Sequence, residues 1–207
     1  MEIPLFPLHT VLCPGIVLPL HIFEDRYRAM VRDVLNGERY LAMGFISPDA
    51  GADEERPAVA AIAGVGEVVM AHELPDGRFN LIVRGRARVR IDRELASDLP
   101  YRLVTATVLP DTTAGDADEL RDAEQALRAL IGQLADAIPD GSEPLREVVG
   151  GAQTPTELAD VIASELIPNA ALRQQLLETL DVGKRIERIA AEVVAMTARL
   201  AAPGVIN

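Results

Sequence analysis

A chain of 207 residues has room for one or two domains, with enough core to fold without a covalent staple. Hydrophobic residues make up 49% and charged residues 25%, which excludes a disordered chain; aromatics are only 3%, so the core has to be aliphatic. The net charge of −12, from 20 basic and 32 acidic side chains, repels phosphate backbones and disfavours a general nucleic-acid binder. The acid is concentrated late in the chain, with net −3 over residues 1–110 and net −9 over residues 111–207. Cys13 is the only cysteine, which excludes an internal disulfide and fits a reducing compartment. Glu2 and the prolines Pro4, Pro7, Pro14 and Pro19 are incompatible with a secretory signal, and no stretch approaches the ~18 apolar residues of a membrane span. A soluble cytoplasmic protein with no membrane partner is expected.

The first half is punctuated for β structure. Residues 3–9 and 16–20 are short apolar runs separated by the turn signal Pro14-Gly15. The period then changes. Phe23, Tyr27, Met30, Val31, Val34 and Leu35 recur at three- and four-residue spacing, which predicts an amphipathic helix over 24–35, stopped by Asn36-Gly37. Residues 40–46 read as a buried strand and residues 47–57 as a polar loop. Residues 59–73 and 78–94 form the longest β signal, joined by the hairpin turn Pro75-Asp76-Gly77, and 101–109 is a further strand. About six strands and one helix in this half predict a compact, partly closed barrel.

Residues 110–118 have the composition of a linker, and everything after them is helical in pattern. Helices are predicted over 119–137, over 144–149, from Thr154 as N-cap to about Leu166, over 170–180, and over 182–200 with Asp181 as N-cap. The fold class is therefore α+β: a β-barrel subdomain over 1–110, then an all-helical subdomain over 111–207.

Spacing excludes several chemistries. The only Gly-Lys pair, Gly183-Lys184, has Glu178 where a P-loop needs its first glycine and Arg185 where it needs a hydroxyl. Gly64-Val65-Gly66 begins a dinucleotide fingerprint, but Val69 occupies the third glycine position, and a strand bend or bulge explains the pair. His9, His21 and His72 are scattered, so no metal site is expected. No serine sits in a nucleophile elbow, and Lys184, the one lysine, lies in a charged helical stretch that keeps it solvated. Cys13 has no positive neighbour in sequence to activate it and reads as a buried, inert thiol. No catalytic residue, metal or cofactor is expected.

One feature points to nucleic acid. Arg84, Arg86, Arg88 and Arg90 alternate along a single strand, and period two places all four on one face. Acidic neighbours and the absence of interleaved aromatics favour a solvated face, whose charge also protects against edge pairing. RNA binding through these arginines is kept as the alternative reading.

The opening, Ile3-Pro4-Leu5-Phe6-Pro7-Leu8 followed by Val11-Leu12-Cys13-Pro14-Gly15-Ile16-Val17-Leu18-Pro19-Leu20, resembles the N-terminal domain of the Lon proteases. Further matches fall in order. Arg26-Tyr27-Arg28-Ala29-Met30-Val31 is similar to the family's first helix. Gly64-Val65-Gly66-Glu67-Val68 and the Val83-Arg84-Gly85…Arg88-Val89-Arg90-Ile91 segment are similar to two of its strands, and Leu74-Pro75-Asp76-Gly77-Arg78 to its hairpin. Leu176-Leu177-Glu178-Thr179-Leu180-Asp181-Val182-Gly183-Lys184-Arg185-Ile186 resembles its late helical segment. The resemblance implies a PUA-like β-barrel followed by a helical subdomain. With the chain ending at Asn207, it also implies a recognition module without the family's ATPase motor or Ser–Lys protease, hence not an enzyme.

The function implied is capture of exposed apolar segments of unfolded or client polypeptides, as an adaptor in proteolysis or quality control. An ATP-dependent protease is the implied partner, and the oligomeric state is left open. The residues that offer an apolar, proline-stiffened surface for this are Pro14, Gly15, Ile16, Leu20, Ile22 and Phe23.

Overall fold

A computed structural model describes residues 1–46, 56–138 and 142–201. Most of the polar loop expected at 47–57, and the Pro139-Asp140-Gly141 helix stop, lie outside the described residues. The chain divides into two compact units. One comprises Met1–Pro110 together with Asn169–Glu178; the other comprises Asp111–Pro168 and Thr179–Asn207.

The strand unit is built on β1 (Glu2–Leu8), β2 (Val17–Ile22), β3 (Tyr40–Phe45), β4 (Ile62–Glu73), β5 (Phe79–Leu95) and β6 (Arg102–Leu109), with α1 (Asp25–Asn36) between β2 and β3. The strands form one six-stranded sheet in the order β2-β5-β4-β3-β1-β6, with β5 also paired to β6. Only β1 and β3 run parallel. This corrects the expected PUA-like barrel. The six strands are one sheet in which β2 pairs with β5 alone and leaves an edge among the described residues. The physical cause is the reach of β5. Its 17 residues pair with β2 through Phe79–Arg84 and with β6 through Arg88–Leu95, and periodicity carries no information about which strand a long neighbour will choose.

The β4–β5 hairpin follows the turn chemistry of the sequence. Gly77 takes φ +80°, its N–H and that of Leu74 bond across the turn, and the Asp76 carboxylate accepts from the Arg78 N–H. That backbone bond, with the Arg78 guanidinium, holds the Asp76 carboxyl below the ordinary carboxylate range. Tyr27, Met30, Val31 and Val34 of α1 are buried against Phe6, Ile22, Leu41, Phe79 and Leu81 of the sheet. Each such side chain contributes roughly 1.5–3 kcal/mol relative to exposure. A second cluster, with Ile3, Leu5, Val65, Val89 and Val104, packs residues of β1, β4, β5 and β6 together.

The helical unit contains α2 (Ala117–Ala137), α3 (Ser142–Gly151), α4 (Pro155–Glu165) and α6 (Val182–Ala201). Its helix starts are set by side chains. Asp116 and Glu119 form a capping box at α2, the Thr154 hydroxyl accepts from the Glu157 N–H at α4, and Asp181 accepts from the Lys184 N–H at α6. Glu157 reaches back to the Gln153 N–H, one residue earlier than a capping box requires. Asp181 also accepts from the Ala114 N–H, and these two backbone bonds hold its carboxyl below the ordinary range.

The fifth helix, α5 (Ala170–Glu178), groups with the strands instead of with the other helices. Leu177 packs with Val11, Cys13 and Phe45, and the Gln174 amide donates to the Ile62 carbonyl. The sequence boundary at 110/111 places this segment in the helical half. Its periodicity says that it has a buried side, but not which unit covers it.

Candidate functional site

The chain from Val11 to Phe23 makes two different structures. The first is a strut. Over residues 12–14 its backbone lies so close to β4 and β5 that a side chain would not fit beneath it. An added Cβ at Gly64 would sit 2.0 Å from the Leu12 carbonyl oxygen, and one at Gly85 would sit 2.0 Å from that of Cys13. Gly64 and Gly66 therefore serve close approach and the β-bulge between Val65 and Gly66, not a dinucleotide. Gly15, at φ +81°, donates to the Gly85 carbonyl, and Gly85 donates back to that of Ile16. Ile16 packs on the edge of two core clusters, and Cys13 is buried.

The second structure is a groove. Leu20, Ile22 and Phe23, at the end of β2, line a depression of about 380 Å³ whose opposite wall is Phe6, Pro7 and Leu8 of β1. Tyr27, Ile46 and Pro57 add to the apolar lining, and His9, His21, Glu24 and Arg26 complete it with polar and charged groups. Ile22 is buried and belongs to the core, whereas Phe23 is 62% exposed just before α1 and stacks on His21 at 6.3 Å. The Tyr27 ring meets Phe6 edge-on at 4.6 Å, and the Arg26 guanidinium lies 4.6 Å over its centre. The structure thus separates the six residues read as one patch. Leu20, Ile22 and Phe23 share the groove, while Pro14, Gly15 and Ile16 do not line it. Phe6, Leu8, Tyr27, Ile46 and Pro57 were not anticipated, because they come from separate segments and each reads in sequence as ordinary core or loop.

A second depression, of about 530 Å³, is lined by Arg26 and Tyr27 as well, so the two share a wall. Its other lining includes Arg56, Arg102 and Tyr101. Arg102 donates two bonds to Glu94 and one to the Pro57 carbonyl, and Arg56 is ion-paired with Glu94 as well. Burial pushes the Glu94 carboxyl up, but the bonds from Arg102 and Arg56 outweigh it and hold it low. The Tyr101 hydroxyl donates to Asp33 at 2.8 Å; burial first, and then this bond, push its pKa up to about 12.

The four arginines of β5 do not share a face. Arg84, Arg86 and Arg90 are exposed, with Arg86 paired to Glu67 and Arg90 to Asp92. Arg88 is 2% exposed, and its Nε donates to the Leu177 carbonyl of α5. The bulge between Val65 and Gly66 breaks the period-two reading between Gly85 and Ala87. Among the described residues no cluster of His, Cys, Asp or Glu could hold a metal ion, and no helix is long and apolar enough to cross a membrane.

Comparison with known proteins agrees with this architecture. Residues 2–194 match the family model described as the ATP-dependent protease La (LON) substrate-binding domain. The chain belongs to the Lon substrate-binding domain family. Lon protease of Roseiflexus castenholzii is 30% identical over 190 residues, and that of Anaeromyxobacter dehalogenans 27% over 191, each covering 90% of this chain. The chain spans only 23% and 22% of those relatives' length. The solved N-terminal domain of Mycobacterium avium complex Lon protease superimposes with a TM-score of 0.72 at 21% identity, covering 96% of this chain and 98% of its own. The Lon N-terminal domain protein from Xanthomonas campestris gives 0.66 at 23%, covering 92% and 98%. The match is to the substrate-binding part of Lon, which is not its catalytic part. A substrate-recognition role follows at the level of the family.

Proposed function

We propose that this Lon-type domain recognises polypeptide substrates by receiving exposed apolar side chains in the groove between β1 and the end of β2. The observation that carries this is Phe23: a large aromatic side chain, 62% exposed, at the lip of a largely apolar depression. Leu20 and Leu8 are half-buried beside it, and Ile22, Phe6 and Tyr27 support it from the core. Pro7 and Pro57 stiffen the walls, so little ordering entropy is lost on binding. In this reading the protein delivers or holds clients for an ATP-dependent protease and performs no chemistry itself. RNA binding through β5 gains no support from the geometry, since Arg88 is engaged in the interior and Arg86 and Arg90 face carboxylates.

The test is a titration with a dye-labelled, permanently unfolded polypeptide at low and moderate salt, with a structured RNA in parallel. Saturable polypeptide binding that survives salt is expected. Phe23→Ala should weaken it about tenfold, as truncation of a central aromatic anchor does, and leave the melting temperature unchanged within the scatter of surface substitutions. Binding that is indifferent to Phe23→Ala removes the groove from the reading. Salt-sensitive RNA binding without polypeptide binding replaces it.

A further inference from the structure

Phe23 stands at the lip of the groove, and the ring that stacks on it is that of His21, with centroids 6.3 Å apart and planes 26° from parallel. His21 and Phe23 are exposed while Ile22 between them is buried, so the two rings leave the chain on one side. The imidazole is tied at both nitrogens. Its Nδ1 lies 2.7 Å from the Oδ1 of Asn80 on β5, and its Nε2 lies 3.2 Å from a guanidinium nitrogen of Arg78, just before β5. A guanidinium can only donate, so Nε2 accepts and the ring proton sits on Nδ1, which donates to Asn80. Both bonds together require the neutral ring. A second proton has to go on Nε2, where it removes one bond and sets an imidazolium against the guanidinium. Asp76, ion-paired with Arg78 at 2.7 Å, offsets part of that repulsion but does not restore the bond. Histidine is the side chain that makes this change of charge between pH 5 and 8. Among the described residues, the other titratable and charged groups around the ring are His72, across Asn80 on β4, and His9, Glu24 and Arg26, which line the groove with it. Glu24 is ion-paired with Arg26.

We infer that His21 is the positioning residue of the groove: its neutral ring, fixed by Asn80 and Arg78, holds Phe23 at the lip, and protonation of His21 releases Phe23 and weakens polypeptide binding. This role rests on the groove reading and adds a regulation to it. An imidazolium stacked on Phe23 is itself attractive. The guanidinium 3.2 Å from Nε2 therefore decides the direction of the effect, because the charged ring has to turn away from Arg78 and so away from the position in which it supports Phe23. An aromatic anchor that is no longer held in place costs ordering entropy when a ligand engages it.

A dye-labelled peptide of Phe, Leu, Gly and Ser with blocked ends tests this. It carries no group that titrates in the histidine range, so any pH dependence of its binding belongs to the protein. Binding to the unaltered protein should weaken about threefold from pH 8 to about pH 5.5, a part of the tenfold loss expected when Phe23 itself is truncated. In His21→Gln, which has no ring to stack and no proton to gain, binding should be weak already at pH 8 and change no further. In Arg78→Gln, whose amide can donate to Nε2 or accept from it, the profile should flatten. The Cε1 proton resonance of His21, identified by its loss in His21→Gln, should shift with the same midpoint as the binding. A merely structural role for His21 would not tie the two midpoints together.

Binding to the unaltered protein that is lost in Phe23→Ala but indifferent to pH overturns the role of His21 and leaves the groove reading intact. Binding that tightens on acidification overturns it too, since the charged ring would then support Phe23 better than the neutral one. An acid-weakened profile that His21→Gln retains assigns the effect to another group, His9 or His72 among them, and overturns the assignment to His21. A binding midpoint that departs from the His21 resonance does the same. No binding of the peptide at any pH overturns the groove reading and this inference together.

Discussion

Arg185 in the helical unit and Arg26 and Arg56 in the strand unit are placed in opposite ways. In the helical unit Arg185 of α6 is completely buried, donating to Asp111 at 3.0 Å and to the Thr179 carbonyl at 2.8 Å, with the buried Asp160 carboxylate at 3.5 Å. In the strand unit Arg26 and Arg56 sit at the surface, ion-paired but accessible, around an open depression. One guanidinium is a structural tie that no ligand can reach. The others are held in place and still offered to solvent. Burial thus decides whether a guanidinium acts as an internal tie or stays accessible at the surface.

The sharpest way to break this comparison is at Arg185. Replacing it with alanine leaves Asp160 and Asp111 facing a site that was built for a cation. The expected loss is about 3–5 kcal/mol, the usual cost of removing one partner from a buried pair. Denaturant unfolding checks it. A loss below about 1 kcal/mol, the range of an exposed pair, would mean that water reaches the site and that the contrast between the units is false. The strand unit has its own lock at Gly85, where an added Cβ would sit 2.0 Å from the Cys13 carbonyl oxygen. Backbone cannot step aside as a flexible side chain does. Gly85→Ala should therefore cost about 1–3 kcal/mol, as overpacking does, and lift the 12–16 strut away from β5. Unchanged stability would show that the strut is not held down.

Legibility in the sequence follows the same divide between local and long-range information. The hairpin at Pro75-Asp76-Gly77, the caps at Thr154 and Asp181 and the amphipathic period of α1 depend on neighbours within a few residues, and each is readable from sequence. Strand pairing, the grouping of α5 with the strands and the burial of Arg185 depend on partners far away in the chain. Arg185 sits between exposed Lys184 and buried Ile186, where its charge predicts a solvated face; only Asp111 and Asp160 from other segments allow it inside. The candidate site shows the same limit. Apolar character at Leu20–Phe23 is visible in the sequence, but the opposite wall from β1, with Ile46 and Pro57, is not. Nor does proximity in sequence separate the strut at Pro14–Ile16 from the groove that begins at Leu20. The separation comes from glycines in β4 and β5, which let one segment lie flat on the sheet.

The smallest expected effect tests the wall between the arginine-lined depression and α1. Tyr101 lines that depression and donates to Asp33 on α1. Burial and the Asp33 carboxylate raise its pKa from the ordinary 10.0 to about 12. The folded state thus keeps a proton that the unfolded chain gives up first. The stabilisation is fully present below pH 10 and is lost as pH rises towards about 12. A stability profile over that window should fall in the unaltered protein, and Tyr101→Phe should remove the part of the fall due to this residue. The same variant should lower stability by about 1 kcal/mol at neutral pH, the typical net worth of a hydrogen bond. If Tyr101→Phe leaves the alkaline slope unchanged, the hydroxyl is not tied to Asp33 in solution. The arginine-lined wall would then be looser than the arginine comparison requires.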